Sequence, residues 1–416
     1  MFRCDPNYFT RALASLLFTS GLFFAGSCSG AAEAPASGAA ANPMLHASGG
    51  QLVDARGNAV ILRGVNLGGW LLWEGWIFGE GFVSETDILK KLNTLVGFEA
   101  TQAFRRGIYS NFIAEEDLRK IAELGFNSVR VPVNWRLLDG GAPKAVYQEA
   151  GWQLLDRLLD WCDKYHLYAV IDLHAAPGGQ SGLFMADPGG AGVSLWQSAG
   201  AQRQTAALWG ALARRYKTRT CLAGFDLINE PSPPKGASWL ELCRQLVAAV
   251  RAEDRQHLIF IEGGSLAADF SMFDKPLDGN MAYSFHIYTW LGDNRSQRLG
   301  TYETLAKQQN VPLWAGEFGE NNYKMIGSTA RMFGEHPEIC GWAFWPWKKA
   351  PSLSPGLVTV KVPADWQTVM AWIDHPLLHR QPGAEEAGRA LRAFLEAVKL
   401  PRGQLDQQMV QELLPH

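Results

Sequence analysis

The sequence predicts a TIM barrel, a closed ring of eight β-strands that alternate with α-helices in a single domain. Eight apolar, β-rich runs recur along the chain, and amphipathic stretches with helical periodicity lie between them. The length of 416 residues suits one large barrel with insertions. An open, doubly wound sheet is the alternative, but it needs a Gly-rich phosphate turn after its first strand. Gly68-Gly69-Trp70 does not supply the GxGxxG pattern.

The N-terminal segment has the features of an export signal. Residues 1–28 contain two arginines, an apolar run from Leu13 to Gly26 that is too short to span a membrane, and small residues directly before Cys28. This pattern resembles a bacterial lipoprotein signal, although Ala25 stands where such signals usually have Leu, and an ordinary cleaved signal peptide is the alternative. Residues 29–44, rich in Ser, Gly, Ala and Pro, predict a flexible tether. We expect a secreted, periplasmic or outer-surface protein that contacts a membrane only through a lipid on Cys28.

The predicted elements of the barrel follow residue 44. A small hairpin that caps the barrel floor comes first, with Gln51 to Asp54 and Ala59 to Ile61 on either side of a turn that contains Gly57 and Asn58. The predicted barrel strands are Leu62 to Asn66, Ser128 to Pro132, Tyr168 to His174, Gly224 to Asn229, Leu258 to Glu262, Ala282 to His286, Pro312 to Glu317 and Gly341 to Trp345. Helices are predicted at Glu115 to Leu124, Trp152 to Lys164, Gln202 to Tyr216, Trp239 to Ala252 and Tyr302 to Gln309. Nearly continuous apolar strands that alternate with helices indicate a parallel sheet covered by helices.

The last predicted elements belong to the same domain. Trp366 to Ile373 is predicted as the last barrel helix, and Glu385 to Ala397 as a C-terminal helix. We therefore assign residues 45–400 to the barrel domain and residues 401–416 to a C-terminal tail.

Charge and cysteine content narrow the classes of partner. Lys and Arg number 38 against 41 Asp and Glu, a net charge of −3, so the chain lacks the basic field that collects nucleic acid. We expect a monomer with a neutral partner. The folded part contains Cys162, Cys221, Cys243 and Cys340 without a CxxC pair, which argues against a zinc site. Buried free thiols are expected, and a disulfide between Cys221 and Cys243 is the alternative.

Polar residues end nearly every predicted strand. In a TIM barrel the active site lies at the C-terminal ends of the strands, so polar residues there have a functional weight that polar residues within helices lack. Eight such endings in register with eight strands indicate one functional cleft. They are Asn66, Arg130, His174, Asn229 with Glu230, Glu262, His286 with Tyr288, Glu317 and Trp345.

Glu230 and Glu317 stand out among these residues because each closes an apolar strand, a costly position for a charge. Glu230 ends the segment FDLINE, and Glu317 ends PLWAGE. If strands four and seven hold them on opposite sides of one cleft, they form the pair that glycoside hydrolysis needs. One carboxyl must be protonated to donate to the leaving oxygen, and the other must be ionised to attack the anomeric carbon. Arg130, from strand two, is a suitable cation to keep one of them ionised.

Seven motifs in order resemble glycoside hydrolase family 5, over about the whole chain after the tether. They are LRGVNLGGW, SVRVP, HAAPGGQ, INEP, HIY, GEFG and the strand that ends in Trp345. The resemblance implies a retaining β-glycosidase without a cofactor, with Glu230 as acid/base, Glu317 as nucleophile, and Arg130 and Tyr288 holding the nucleophile. It also implies that the sugar at the cleaved bond is bound by His174, Asn229 at the 2-hydroxyl, His286, and Trp345 as a stacking floor.

Within the family, LRGVNLGGWLLWEGW and HAAPGGQSG look most like the exo-β-1,3-glucanase branch and its bacterial relatives. In that branch the glutamate that matches Glu74 grips hydroxyls of the terminal glucose and favours cutting from the chain end. The branch has a Phe-Asp-Asn run where this chain has Leu183-Phe184-Met185, so an endo-β-1,4-glucanase and a β-mannanase stay open as alternatives. A non-catalytic carbohydrate-binding barrel and a metal-dependent hydrolase are weaker alternatives, the latter because no HExxH motif accompanies His174 and His286.

The chemistry and the resemblance give three expectations for geometry. A retaining enzyme requires about 5–5.5 Å between the two carboxyl groups. The resemblance implies a cis peptide after Trp345, here before Pro346. The cluster Trp70, Trp73 and Trp76 either lines the cleft or belongs to the core.

Overall fold

The computed structural model describes residues 42–140, 147–189, 192–290, 292–352 and 354–414. The predicted signal segment with Cys28, and most of the predicted tether, lie outside these residues. In the part that is described, no helix is both long and apolar enough to cross a membrane.

Eight parallel strands close into a barrel, as predicted. They are β1 Leu62–Asn66, β2 Ser128–Asn134, β3 Tyr168–Ala175, β4 Leu222–Asp226, β5 Leu258–Glu262, β6 Met281–Ile287, β7 Leu313–Gly319 and β8 Ile339–Trp345. Each strand pairs with the next in sequence, and β8 pairs with β1 to complete the ring. The strands are buried almost throughout because helices cover the outside while side chains fill the inside.

Eleven helices of at least seven residues lie within the described ranges. They are α1 Glu85–Val96, α2 Phe98–Asn111, α3 Glu115–Glu123, α4 Glu149–Tyr165, α5 Ala199–Tyr216, α6 Trp239–Arg251, α7 Arg295–Gln309, α8 Tyr323–Gly334, α9 Ala364–Asp374, α10 Ala384–Ala397 and α11 Gln407–Leu413. Ser84, Ser198 and Ser238 cap α1, α5 and α6 by accepting a backbone N–H from the first turn, which fixes where these helices begin. Every helix that the sequence predicts is present with shifted ends.

The N-terminal hairpin closes the floor of the barrel, with a pairing that differs from the prediction. His46–Ser48 pairs with Gln51–Val53 around Gly49 and Gly50, which both have positive φ. The predicted second arm contributes only a single bridge between Val53 and Ala59. The hairpin's Leu52 packs with residues inside the barrel, so the floor is apolar and sealed.

Other boundaries also differ from the prediction, and two of these differences affect how the site and the domain are described. Strand β4 ends at Asp226 rather than at Asn229, because the chain then leaves the sheet and turns at Glu230, whose φ is 46°. The segment expected as a C-terminal tail is folded: residues 404–405 pair with residues 358–359, and α11 buries Met409 and Leu413.

The four cysteines of the described part are buried free thiols. The expected thiols are therefore present, and Cys221 and Cys243 do not form the alternative disulfide. Burial raises the pKa of all four thiols, which keeps them protonated at neutral pH.

Candidate active site

Glu230 and Glu317 face each other at the open end of the barrel. One oxygen of each carboxylate and one ring nitrogen of His286 all lie within 4.8 Å of one another. Both glutamates are more than nine-tenths buried. This separation is close to the about 5–5.5 Å of retaining glycosidases and well short of the about 6.5–9.5 Å that an inverting enzyme needs for a water molecule.

Glu317 is held within β7 by two donors. Arg130 Nη1 donates to Oε1 at 2.6 Å, and the Tyr288 hydroxyl donates to Oε2 at 2.7 Å. Burial, the largest influence, raises the pKa of Glu317, but the charges of His286, Arg130 and His174 and the bond from Tyr288 outweigh it. The net pKa is lowered, which favours an ionised Glu317 at neutral pH.

Glu230 lies beyond the end of its strand, in a left-handed backbone conformation that is rare outside glycine. Its backbone N–H donates to Glu262 Oε2 at 2.6 Å, and its Oε1 lies 2.9 Å from His286 Nδ1. Burial raises the pKa of Glu230, His286 offsets part of this, and the charges of Glu317 and Glu262 raise it further. The net rise favours a protonated Glu230, the opposite of Glu317.

A network of buried charges lies beneath the two glutamates, centred on Arg130. The guanidinium contacts Asp172, Asp226 and Glu262 at 3.1, 2.9 and 3.0 Å. One oxygen from each of these three carboxylates lies within 4.8 Å of the others, a spacing that could hold a metal ion, but the guanidinium already supplies positive charge among them. Asn66 Oδ1 and Asn229 Oδ1 accept from the remaining guanidinium N–H groups, which fixes its orientation.

His174 and Trp345 form one wall of the site. His174 Nδ1 lies 2.6 Å from Asp172 Oδ2, and its ring is parallel to the Trp345 indole, with centroids 5.5 Å apart. Burial lowers the pKa of His174, but the charge and hydrogen bond of Asp172 outweigh it and raise the pKa to about 10. Glu74 extends the wall: its Oε1 lies 3.6 Å from His174 Nε2, and its Oε2 accepts from Trp76 Nε1 at 2.6 Å.

The loop after β1 is shaped around the Trp345 indole. A Cβ atom at Gly68 would lie 2.7 Å from Trp345 Cη2, so only glycine leaves room for the ring there. The cis peptide expected between Trp345 and Pro346 is confirmed.

The three tryptophans of the β1 loop divide between core and cleft. Trp70 and Trp73 are fully buried and pack in the hydrophobic core, so they do not line the site. Trp76 is partly exposed and touches Glu74. The segment Leu183-Phe184-Met185 is partly exposed, and Phe184 packs against the Phe82 ring at 5.2 Å.

Sequence reasoning did not single out Asp172 and Asp226, although both belong to the buried network. Asp172 lies inside β3 and Asp226 ends β4, and both are fully buried and paired in register across these strands. A carboxylate within an apolar strand is costly without a partner, and that was the available signal.

Comparisons with known proteins agree with this geometry. The family model "Cellulase (glycosyl hydrolase family 5)" matches residues 89–350. A β-xylosidase of Phanerodontia chrysosporium is 30% identical over 339 residues, which cover 73% of this chain and 70% of that protein. A probable glucan 1,3-β-glucosidase A of Aspergillus fumigatus is 32% identical over 216 residues, which cover 50% of this chain and 51% of that protein.

Among solved structures, the rutinosidase from Aspergillus niger superposes with a TM-score of 0.58 at 18% identity, over 71% of this chain and 92% of that one. This likeness shows the same fold. The family model and the β-xylosidase match show that the chain belongs to glycosyl hydrolase family 5 and is a glycoside hydrolase.

Proposed function

We propose that this chain is a retaining β-glucan hydrolase that releases glucose from chain ends, with Glu317 as nucleophile and Glu230 as acid/base. The observation that supports it most is the pair of buried carboxyls with oxygens within 4.8 Å of each other and with pKa values shifted in opposite directions. Retention needs one ionised and one protonated carboxyl at this short spacing.

In the first step an oxygen of Glu317 attacks the anomeric carbon, and the bond from that carbon to the leaving oxygen breaks. Glu230 gives its proton to the leaving oxygen, so the departing group leaves as a neutral alcohol. Arg130 and Tyr288 keep Glu317 ionised and aimed until it attacks. The same hydrogen bonds orient the carboxylate for the attack that forms the covalent glycosyl-enzyme.

In the second step water attacks the anomeric carbon from the face that the leaving group vacated. Glu230, now ionised, takes a proton from this water, and the bond between the sugar and Glu317 breaks. Two inversions give net retention. The neighbouring His286 lies between both glutamates, 2.9 Å from Glu230 and 3.6 Å from Glu317, so it responds to the charge that moves between them.

The remaining site residues are placed to bind the sugar on the nucleophile's side of the bond. The side-chain oxygen of Asn229 accepts a hydrogen bond from Arg130, which leaves the amide N–H groups to donate to the 2-hydroxyl. The Trp345 indole offers a flat apolar surface for the C–H face of the ring. The Glu74 carboxylate, buried beside His174, is suited to accept two hydroxyls of a terminal glucose.

β-Xylosidase activity is a second candidate, favoured by the longer of the two matches described above. An endo-β-1,4-glucanase and a β-mannanase stay open on the same scaffold.

One experiment separates these activities. Purified protein is incubated with laminarin, carboxymethylcellulose, mannan, xylan and the aryl β-glucoside and β-xyloside, and the products are sized and their anomeric configuration followed by NMR. We expect glucose with retained β-configuration as the main early product from laminarin. Longer products from carboxymethylcellulose or mannan would replace the exo assignment, and preferred cleavage of the xyloside would replace glucose by xylose.

We propose further that the protein is exported and anchored through a lipid on Cys28. The small residues before Cys28 and the Ser, Gly, Ala and Pro composition after it support this. Wild-type protein should partition with membranes, whereas Cys28→Ser should be released or stay unprocessed. Equal solubility of both in the medium would contradict the anchor and leave the catalytic domain unaffected.

A further inference from the structure

The loops after β7, β8 and β1 converge at one end of the cleft. These three strands are neighbours in the closed barrel, since β8 pairs with both β7 and β1. The β8 loop is tied to the β1 loop by a backbone hydrogen bond from Ala350 to Ile77 at 2.8 Å. The β7 loop begins at Glu320, the residue after Gly319.

Lys349, in the β8 loop, is a buried lysine without a carboxylate within salt-bridge distance among the described residues. Its Nζ lies 4.4 Å from the centroid of the Trp76 ring and donates to Ser352 Oγ at 2.6 Å and to Ser354 O at 3.1 Å. Burying an ammonium is costly, and a position over an indole face recovers part of that cost. Trp76 in turn donates to Glu74, so the lysine acts on a wall of the sugar site.

Glu320 approaches the same end of the cleft from β7. Its backbone is left-handed, with φ at 49°, a strained conformation for a glutamate that is often found at functional sites. Burial raises its pKa, the Lys349 ammonium opposes this, and the charges of Glu74, Glu317 and Glu230 raise it further. Gly319 pairs with Trp345 in the barrel, so Glu320 leaves β7 beside the start of the β8 loop that contains Lys349.

The position of this group relative to the cleaved bond follows from the chemistry. Glu230 protonates the leaving oxygen, so the leaving group lies on its side of the cleft. Lys349 lies over Trp76, which donates to Glu74, and Glu320 follows the end of β7 beside β8. They therefore bound the end where the transferred sugar lies.

We propose that Lys349 and Glu320 close this end of the cleft and limit the transferred group to a single sugar residue. This inference rests on the proposed function and adds two specificity-determining residues to it. A second sugar beyond the first would have to displace Glu320 and the Trp76 ring that Lys349 fixes in place. The free energy cost of displacing these side chains would offset the binding free energy of that sugar.

The test uses an aryl β-laminaribioside, which an enzyme can cut in two ways. Removal of one glucose leaves the aryl β-glucoside, whereas removal of intact laminaribiose requires room for two sugars. We expect wild type to release glucose first. Lys349→Ala and Glu320→Ala should increase the ratio of laminaribiose to glucose by about tenfold or more. Lys361→Ala, an exposed lysine in the following segment, is the matched control and should leave the ratio unchanged.

The ratio does not depend on how much enzyme is folded, so a destabilised Lys349→Ala protein does not mimic the effect. Glu320 is only partly buried, and its variant decides the matter if Lys349→Ala fails to fold. Active variants with the wild-type ratio would overturn the inference. A wild-type enzyme that cleaves neither the aryl β-laminaribioside nor the aryl β-glucoside would instead overturn the proposed function.

Discussion

The two glutamates that we propose as catalytic differ in how the fold holds them. Glu317 lies within β7, which continues to Gly319. Arg130 donates a hydrogen bond to one of its carboxylate oxygens and Tyr288 to the other. Glu230 lies past the end of β4, in a left-handed turn. Its carboxyl contacts His286.

This difference matches the two roles. A nucleophile benefits from a fixed position and from cations that keep it ionised, whereas an acid that later acts as a base must bind its proton at neutral pH and release it. Burial raises the pKa of both carboxyls, and the neighbouring charges together with the Tyr288 hydrogen bond separate the two pKa values. Strand position and charge contacts together support the two proposed roles.

The largest effect is expected at the nucleophile. Glu317→Gly should lower kcat on the order of 10⁴-fold or more, because it removes the group that forms the covalent intermediate. Azide should restore turnover by attacking from the vacated face, and the product should be the α-glycosyl azide, identified by NMR. A β-glycosyl azide, or wild-type turnover without azide, would contradict the role of Glu317.

Glu230→Ala should give the next largest loss and respond to the leaving group. We expect on the order of 10²–10⁴-fold for unactivated glucans, because they need a proton on the leaving oxygen. Aryl glycosides with good leaving groups need none, so formation of the glycosyl-enzyme should persist and appear as a burst of released phenol. Equal losses on both substrate classes would exclude Glu230 as the acid.

Glu74→Ala should weaken binding without changing the protonation of either catalytic group. A hydrogen bond to a charged group contributes about 1.5–3 kcal/mol, and kcat/KM for short β-1,3-glucans and aryl β-glucosides should fall accordingly. The shape of the pH profile should stay as in wild type. An unchanged kcat/KM would remove Glu74 from sugar binding and would favour an open, endo-acting cleft.

The smallest effect is expected for Tyr288→Phe, because Arg130 still holds Glu317. The tyrosine bond stabilises the ionised form, so its loss raises the pKa of Glu317 and moves the acidic limb of kcat/KM to higher pH. The maximal rate should fall by about tenfold. Tyr302→Phe, on α7 and hydrogen-bonded to Ala268 O, is the control and should not shift the acidic limb.

Strand positions could be predicted because strands that are buried on both faces consist of nearly continuous apolar runs. Leu62–Asn66 and Leu258–Glu262 have the predicted ends, since each run stops at a polar residue that accepts a hydrogen bond from Arg130. The end of β4 was mispredicted because FDLINE is apolar almost up to Glu230, while the left-handed turn there leaves no mark in hydropathy.

The site residues that belong to sequence motifs could be predicted. Those whose position depends on tertiary packing could not. Glu230 and Glu317 stand out in the sequence as charges at the ends of apolar runs. The placement of Trp70 and Trp73 depends on helices that cover the β1 loop, and α1 and α2 were not predicted. Lys349 and Trp76 come together only through the closure of the barrel, which pairs β8 with β1.

The four buried cysteines have a consequence for where this enzyme can work. Thiolates, not thiols, react with disulfides and oxidants, and burial together with a raised pKa makes thiolates scarce at Cys162, Cys221, Cys243 and Cys340. The described part of the barrel therefore contains no disulfide that a reductant could break, and its buried thiols react slowly with oxidants. Its activity should be independent of the ambient redox potential, in the presence of dithiothreitol as in air.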